Sequence, residues 1–308
     1  METKKLQAEI LRLKKEKNAV ILSHNYQIAE IQDVADFVGD SLELAFKAKE
    51  TNADLIVLCG VDFMAEIAKI VNPAKKVLWP NKKANCPMAA MLKPEDITEA
   101  RKKYPNAKVV LYVNCSAECK KLADCCCTSA NAVKIVDNMD SDIVLFGPDK
   151  NLAEYVAEQI GKKVIPVPAN GFCSTHQFIT KTEIEIMKEK YSNAKVIAHP
   201  ECTKEVRDAA DYIASTSGMI KVAKESDSKE FIVATENGLL HRLRKEIPNK
   251  KFYPVSETAI CGAMKEIKLE DVYNALKNEE FEVKLDKGLI DKAYKPLDCM
   301  LKITQMKK

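Results

Sequence analysis

The chain has 308 residues, of which 46% are hydrophobic and 30% charged, with a formal net charge of +3. That composition describes a globular protein long enough to bury a sizeable core. The near-balanced charge, with no basic run interleaved with aromatics, argues against a nucleic-acid partner, and no apolar segment approaches the length of a membrane helix.

In chain order, the charged, amphipathic segment Met1–Lys17 is predicted as a helix and lacks the apolar stretch of a signal peptide. A cytoplasmic location is the expectation. Short runs rich in Val and Ile then alternate with helical patterns. Strands are predicted at Ala19–Leu22, Leu55–Cys59 and Lys76–Leu78, then at Val109–Val113, Ile143–Phe146 and Val164–Val167, and finally at Val196–Ala198, Phe231–Ala234 and Phe252–Val255. Helices are predicted over Asp33–Glu50, Asn131–Asn138, Asn151–Gln159 and Leu239–Glu246, with a further pattern at Lys287–Met306. Continuous apolar strands separated by helices mean βαβ units and parallel sheets covered on both faces.

The pattern repeats. Cys86, Cys173 and Cys261 stand 87 and 88 residues apart. Strand-end motifs recur at steps of 88 and 87, as His24-Asn25-Tyr26, Tyr112-Val113-Asn114 and His199-Pro200-Glu201. Ser41, Ser129 and Ser217 follow at 88 and 88, and Gly60, Gly147 and Thr235 at 87 and 88. One supersecondary unit is therefore used three times. The expected fold is α/β, with three pseudo-symmetric three-layer αβα domains whose short parallel sheets surround a central active site. The repeats are placed at 1–100, 101–187 and 188–286, with boundaries in 87–105 and 174–192. A C-terminal helix at about 287–306 is expected to pack back on the first repeat. Ligands of open parallel sheets bind beyond the carboxyl ends of the strands, where every polar member of this repeat lies.

Eleven cysteines, an odd number with no secretory signal before them, read as metal ligands, catalytic thiols or small buried apolar residues. The shared register of Cys86, Cys173 and Cys261 favours metal ligation over plain burial. Three thiolates fit zinc, or an iron–sulfur cube that leaves one iron open as a Lewis acid. Cys115, Cys119, Cys125, Cys126 and Cys127 form a rival cluster, but they have no counterparts in register and no clean pair of C-x-x-C elements, so burial is expected for them. Ser41, Thr128, Ser129, Thr216 and Ser217 precede helical patterns and suit either N-capping or anion binding at helix starts. His24, His199 and His176 suit acid–base or carboxylate-binding roles, and Glu201 and Tyr26 stand two residues beyond a strand-end histidine. His241, in a basic helix, reads as a surface residue. No dinucleotide or P-loop pattern occurs.

These motifs resemble those of the quinolinate synthase family over nearly the whole chain. The resemblance rests on Ser23-His24-Asn25-Tyr26, Gly39-Asp40-Ser41, Asn85-Cys86-Pro87-Met88, Tyr112-Val113-Asn114, Thr128-Ser129-Ala130-Asn131, Phe172-Cys173-Ser174-Thr175-His176, His199-Pro200-Glu201, Ser215-Thr216-Ser217, Thr235-Glu236-Asn237-Gly238 and Cys261-Gly262-Ala263-Met264-Lys265. It implies an enzyme of NAD biosynthesis that makes quinolinate from iminoaspartate and dihydroxyacetone phosphate at a [4Fe–4S] cluster. It implies Cys86, Cys173 and Cys261 as the cluster's three ligands, with one open iron. It implies Tyr26 and Glu201, with His24 and His199, as catalytic groups, and His24, Ser41, Tyr112, Asn114, Ser129, His176, His199, Glu201 and Thr216 as substrate contacts. A functional link to an enzyme that supplies iminoaspartate follows. The chain departs from the family pattern at Gly262-Ala263, where Pro-Asn is expected, and in the density of Cys125–Cys127. The alternatives are a thiolate-rich metal or redox sensor reporting through Cys115 to Cys127, and an iron–sulfur dehydratase of another dicarboxylate.

Overall fold

The computed structural model describes residues 2–306, so Met1 of the first predicted helix lies outside the described residues. Twelve strands form three parallel four-stranded sheets of one topology. The first orders β2 (Phe37–Gly39), β1 (Ala19–His24), β3 (Leu55–Cys59) and β4 (Lys76–Leu78). The second orders β6 (Cys125–Cys127), β5 (Lys108–Tyr112), β7 (Ile143–Gly147) and β8 (Lys163–Pro166). The third orders β10 (Tyr212–Ile213), β9 (Lys195–Ala198), β11 (Glu230–Ala234) and β12 (Lys251–Pro254).

Each sheet is the middle of three layers because its strands are apolar on both faces. In the third sheet Ile197, Phe231 and Val233 enter one apolar cluster, while their neighbours Val196, Ile232 and Ala234 enter another. Side chains alternate along a strand, so such unbroken runs need a helical layer on either side. The first sheet sends Ile21 and Val57 towards the helices Thr3–Glu16 and Leu269–Asn278. Leu22 and Ile56 of the same sheet enter a cluster shared with the second sheet.

The structure adds one edge strand per sheet to those predicted. The stretch Asp33–Glu50, predicted as one helix, divides into β2 and the helix Ser41–Glu50, preceded by a short turn at Ala29–Gln32. An aspartate marks each added strand. Asp36, Asp124 and Asp211 accept the backbone N–H of Ile21, Val109 and Val196 at 2.8, 2.7 and 2.8 Å, tying each edge to its neighbour. The C-terminal helix Lys287–Gln305 does touch Asp62–Val71 of the first unit, but its main contacts are with β6 and the short helices Ala117–Lys120 and Ala132–Asp137 of the second. No described helix is long and apolar enough to cross a membrane.

Candidate active site

The strand ends build the site. At the end of β1, His24 Nδ1 accepts the Tyr26 backbone N–H at 3.2 Å, and after β9, His199 Nδ1 accepts that of Glu201 at 3.3 Å. The same turn thus occurs twice and assigns the ring proton to Nε2 in both. Burial lowers both imidazoles to about 3, helped by Lys265 near His24 and by His176 beside His199, so both rings are neutral.

His176, fully buried in the turn after Cys173, stacks on His199 with ring centroids 4.5 Å apart. Its Nδ1 lies 2.7 Å from Glu201 Oε2 and 3.1 Å from Cys173 Sγ. Its Nε2 meets Thr235 Oγ1 at 2.8 Å, and Thr235 meets the Tyr26 hydroxyl at 2.7 Å. With Nδ1–H donating to the carboxylate, one continuous chain runs from Tyr26 O–H through Thr235 O–H and His176 to Glu201. It joins the first, third and second units.

Burial alone would raise the Glu201 carboxyl, but His176 and His199 beside it hold it below the usual carboxylate range. Burial, with the Glu201 charge, raises the phenols of Tyr26 and Tyr112, which keep their protons. Glu201 Oε1 and Asn114 Oδ1 are buried and have no hydrogen-bond partner. Buried polar groups are nearly always satisfied, so the orphaned carboxylate oxygen at the end of this chain is available to a ligand.

Cys86, Cys173 and Cys261 are half-buried, each the residue before a short helix, at Pro87–Met91, Ser174–Gln177 and Gly262–Lys265. Burial pushes all three thiols up. Their neighbours include Glu201 and Asp149, with Lys265 close to Cys261. A bound cation would deprotonate such thiols outright. The rival cysteines behave differently. Cys125–Cys127 are β6 itself, Cys115 follows β5 and Cys119 lies on a helix, all five fully buried. Among the described residues the only cluster of three metal-ligating atoms within 4.8 Å is Cys173, His176 and Glu201.

The helix starts separate capping from other roles. Asp40 caps Ser41–Glu50 and Ser215 caps Thr216–Glu225, so Ser41, Thr216 and Ser217 are not the capping side chains. Thr216 is buried and accepts from Asn25 Nδ2 at 2.8 Å, while Ser217 donates to Glu43. Ser129 lines a cavity of about 710 Å³ with Pro200 and Ser215, next to Glu201 in sequence. Ser41 lines a small pocket with Leu44, Leu58 and Met64. His241 pairs with Asp33 at 3.0 Å, away from this core.

Several residues escaped the sequence reading. Thr235, noted there as the end of an apolar run and within the motif Thr235-Glu236-Asn237-Gly238 but given no role, is the middle of the hydrogen-bond chain. Asn25 clasps the first and third units, bonding both Thr216 and Arg242, the latter at 2.9 Å. Arg207 is buried behind Glu201 and donates to the carbonyls of Cys202 and Asn151 at 2.8 and 3.2 Å. Asp62, Asp149 and Glu236 accept the backbone N–H of the three repeat cysteines at 3.0, 2.9 and 3.1 Å. Their spacing of 87 and 87 residues was the signal that could have found them.

Comparison with known proteins agrees with this arrangement. The family described as "Quinolinate synthetase A protein" matches residues 8–302. Similar proteins named quinolinate synthase come from Thermotoga maritima, 55% identical over 96% of this chain and 98% of the relative. Others are from Pyrococcus abyssi, 56% identical over 96% and 98%, and Methanocaldococcus jannaschii, 54% identical over 96% and 97%. Identity at this level across the whole length of the three-unit fold shows that the chain belongs to the quinolinate synthase family.

Proposed function

We propose that this chain is a quinolinate synthase of NAD biosynthesis, joining iminoaspartate to dihydroxyacetone phosphate and releasing two waters and one phosphate. The observation that carries this reading is its 54–56% identity, over 96% of its length, to proteins bearing that name. The family and the cysteine-rich sequence suggest that it binds a metal cluster.

For the cofactor, we read a [4Fe–4S] cluster held by Cys86, Cys173 and Cys261. Two features of the donor set support the fit. The sulfurs do not all lie within 4.8 Å of one another, whereas a single tetrahedral zinc would draw them to about 3.8 Å apart. All three sulfurs are also presented in one way, each on the residue before a short helix and in the same backbone conformation. When bound, the cluster supplies one iron without a protein ligand, a Lewis acid for a substrate oxygen.

The proton work falls to the chain's own side chains. Glu201 keeps its charge through His176, and its free Oε1 is placed to take a proton from bound substrate. Tyr26, raised by burial, holds a proton to give, and the path through Thr235 and His176 can reload it. Neutral His24 and His199 offer Nε2–H to substrate oxygens. Tyr112 and His176 stand beside Glu201, and Asn114 is assigned to the substrate with an unused buried acceptor. Ser41, Ser129 and Thr216 are assigned to the anionic ends of the substrates, with Ser129 at the mouth of the 710 Å³ cavity. The repeats 1–100, 101–187 and 188–286 each supply one cysteine in this reading. Because an imine of aspartate hydrolyses readily, we place an iminoaspartate-forming enzyme as its functional partner.

The test is product analysis. Anaerobically reconstituted protein is given dihydroxyacetone phosphate and iminoaspartate formed in situ, and quinolinate is identified by mass spectrometry. Iron-loaded protein that makes no quinolinate would overturn the assignment.

A further inference from the structure

Asp62, Asp149 and Glu236 recur at the repeat interval, and each follows the third strand of its unit in sequence, β3, β7 or β11. That strand lies beside the edge strand whose loop carries the cysteine. In all three units a carboxylate oxygen accepts the N–H of that cysteine, at 3.0, 2.9 and 3.1 Å. The three cysteines share one backbone conformation, with φ of −75°, −80° and −85° and ψ of 116°, 116° and 101°.

The third unit shows that this contact is kept for its own sake. Cys261 lies 25 residues beyond its carboxylate, whereas Cys86 and Cys173 lie 24 beyond theirs. There the carboxylate is glutamate, one methylene longer, and the distance stays near 3 Å. Burying acids is costly unless they are hydrogen-bonded. The two fully buried ones have further partners: Asp149 also accepts from Leu152 N–H at 2.7 Å, and Glu236 from Gly238 N–H at 2.7 Å and from Lys265 at 2.8 Å. Gly238 is needed there, since a Cβ would sit 2.8 Å from Glu236 Oε2 and 2.9 Å from the Tyr26 backbone. Plain loop capping would need no carboxylate; serine or asparagine would serve.

We propose that Asp62, Asp149 and Glu236 form a collar of positioning residues, each holding one repeat cysteine in the conformation that aims its thiol at the shared centre. This rests on the assignment of Cys86, Cys173 and Cys261 as cluster ligands. The collar captures each ligand's own amide, so that amide cannot donate to cluster sulfur. That makes the cluster harder to reduce, since hydrogen bonds to sulfur help set the potential.

The test uses the full chain with Asp62→Ala, Asp149→Ala and Glu236→Ala, and with the acceptor-weakening Asp62→Asn, Asp149→Asn and Glu236→Gln. In metal-free protein, iodoacetamide labelling is followed cysteine by cysteine by mass spectrometry. Each alanine variant should label its own partner, Cys86, Cys173 or Cys261, at least tenfold faster, leaving the other two and Cys115 unchanged. After anaerobic reconstitution, the asparagine and glutamine variants should lose iron to a ferrous chelator at least tenfold faster, and their retained cluster should show a raised midpoint potential. Uniform labelling of all cysteines would reduce the carboxylates to general stability, and if alanine variants gave that result by unfolding, the amide variants would decide. Unchanged potential and iron release in folded amide variants would overturn the collar. Should the wild-type chain bind no iron, the ligand assignment fails, and the paired labelling still decides whether the collar positions the thiols.

Discussion

Among the described residues, Glu201 is the only carboxylate with a buried oxygen that lacks a partner. Its other oxygen is held by His176, so the residue is fixed in place with one acceptor to spare. Glu201→Gln keeps the shape and removes the proton acceptor. Tyr26→Phe keeps the ring and breaks the 2.7 Å link to Thr235. Each change should lower quinolinate formation by about 10²-fold or more, while the iron content and visible absorbance stay as in the unaltered protein. Near-normal turnover in either iron-loaded variant would remove that residue from the proton path. Thr235→Val supplies a third reading of the same chain. It cuts both hydrogen bonds without touching Tyr26 or His176 directly, and should lower turnover in the same direction.

At the scale of elements, β6 explains the cysteine triplet. Cys125, Cys126 and Cys127 are fully exposed to none of the solvent and pair with Val110, Leu111 and Tyr112. They are small apolar residues in the second sheet's edge strand, covered by the C-terminal helix. Replacing all three by alanine should leave iron binding intact and cost about 0.5–1.5 kcal/mol per lost sulfur, read as a lower urea midpoint. Loss of the cluster from the folded triple variant would return these residues to the ligand set. Glu279, just past the helix Leu269–Asn278, bridges Lys17 and Lys76 at 2.6 Å each. Those two contacts, Lys17 first, lower its carboxyl from 4.5 to about 2. A depressed carboxylate stabilises the fold above its unfolded value and ceases to do so as pH falls through the folded one. The contribution should thus be present at pH 7 and fade between about 4.5 and about 2. Because Glu279 is 37% exposed, solvent screening limits it to about 1 kcal/mol or less. Urea unfolding of Glu279→Gln at pH 7 and pH 2.5 checks this: the gap from wild type should shrink at the lower pH and in high salt.

At the scale of the whole molecule, the site depends on how the three units are joined. The first and third meet through Asn25, Arg242 and Thr216, and through Gln32 Nε2, which donates to the Gly238 carbonyl at 2.9 Å. The second and third meet through Arg207, which ties the Glu201 loop to Asn151, Glu154 and Glu158. Arg207→Met should destabilise the fold by about 1–3 kcal/mol. The two glutamates are half-exposed and can rehydrate, so the loss comes mainly from the buried Cys202 carbonyl left without a donor, at about 1–3 kcal/mol, while the Asn151 carbonyl keeps its helical partner. Thermal unfolding measures that loss. A folded Arg207→Met variant should also show a higher KM, since the loop carrying Glu201 loses its backing. Unchanged stability would mean that the Cys202 carbonyl finds another donor.

Amino-acid order by itself determined the repeat, nine of the twelve strands and the residues at their carboxyl ends, because spacing and periodicity are properties of the chain alone. It also separated Cys86, Cys173 and Cys261 from the denser cysteines by register, before any contact was visible. The tertiary structure decided what no local pattern encodes. The edge strands β2, β6 and β10 are two or three residues long, too short to show a period, and exist because a neighbouring strand and an aspartate complete them. Thr235 became part of the site only when the third unit brought it against His176 of the second and Tyr26 of the first. The C-terminal helix found its main seat on the second unit because β6 and its flanking helices offered an apolar face there. Partners that lie 59 to 209 residues apart, as His176 and Tyr26 do from Thr235, are chosen by packing three sheets together. That choice is made by buried area and satisfied polar groups across the whole chain, not by the neighbours of any one residue.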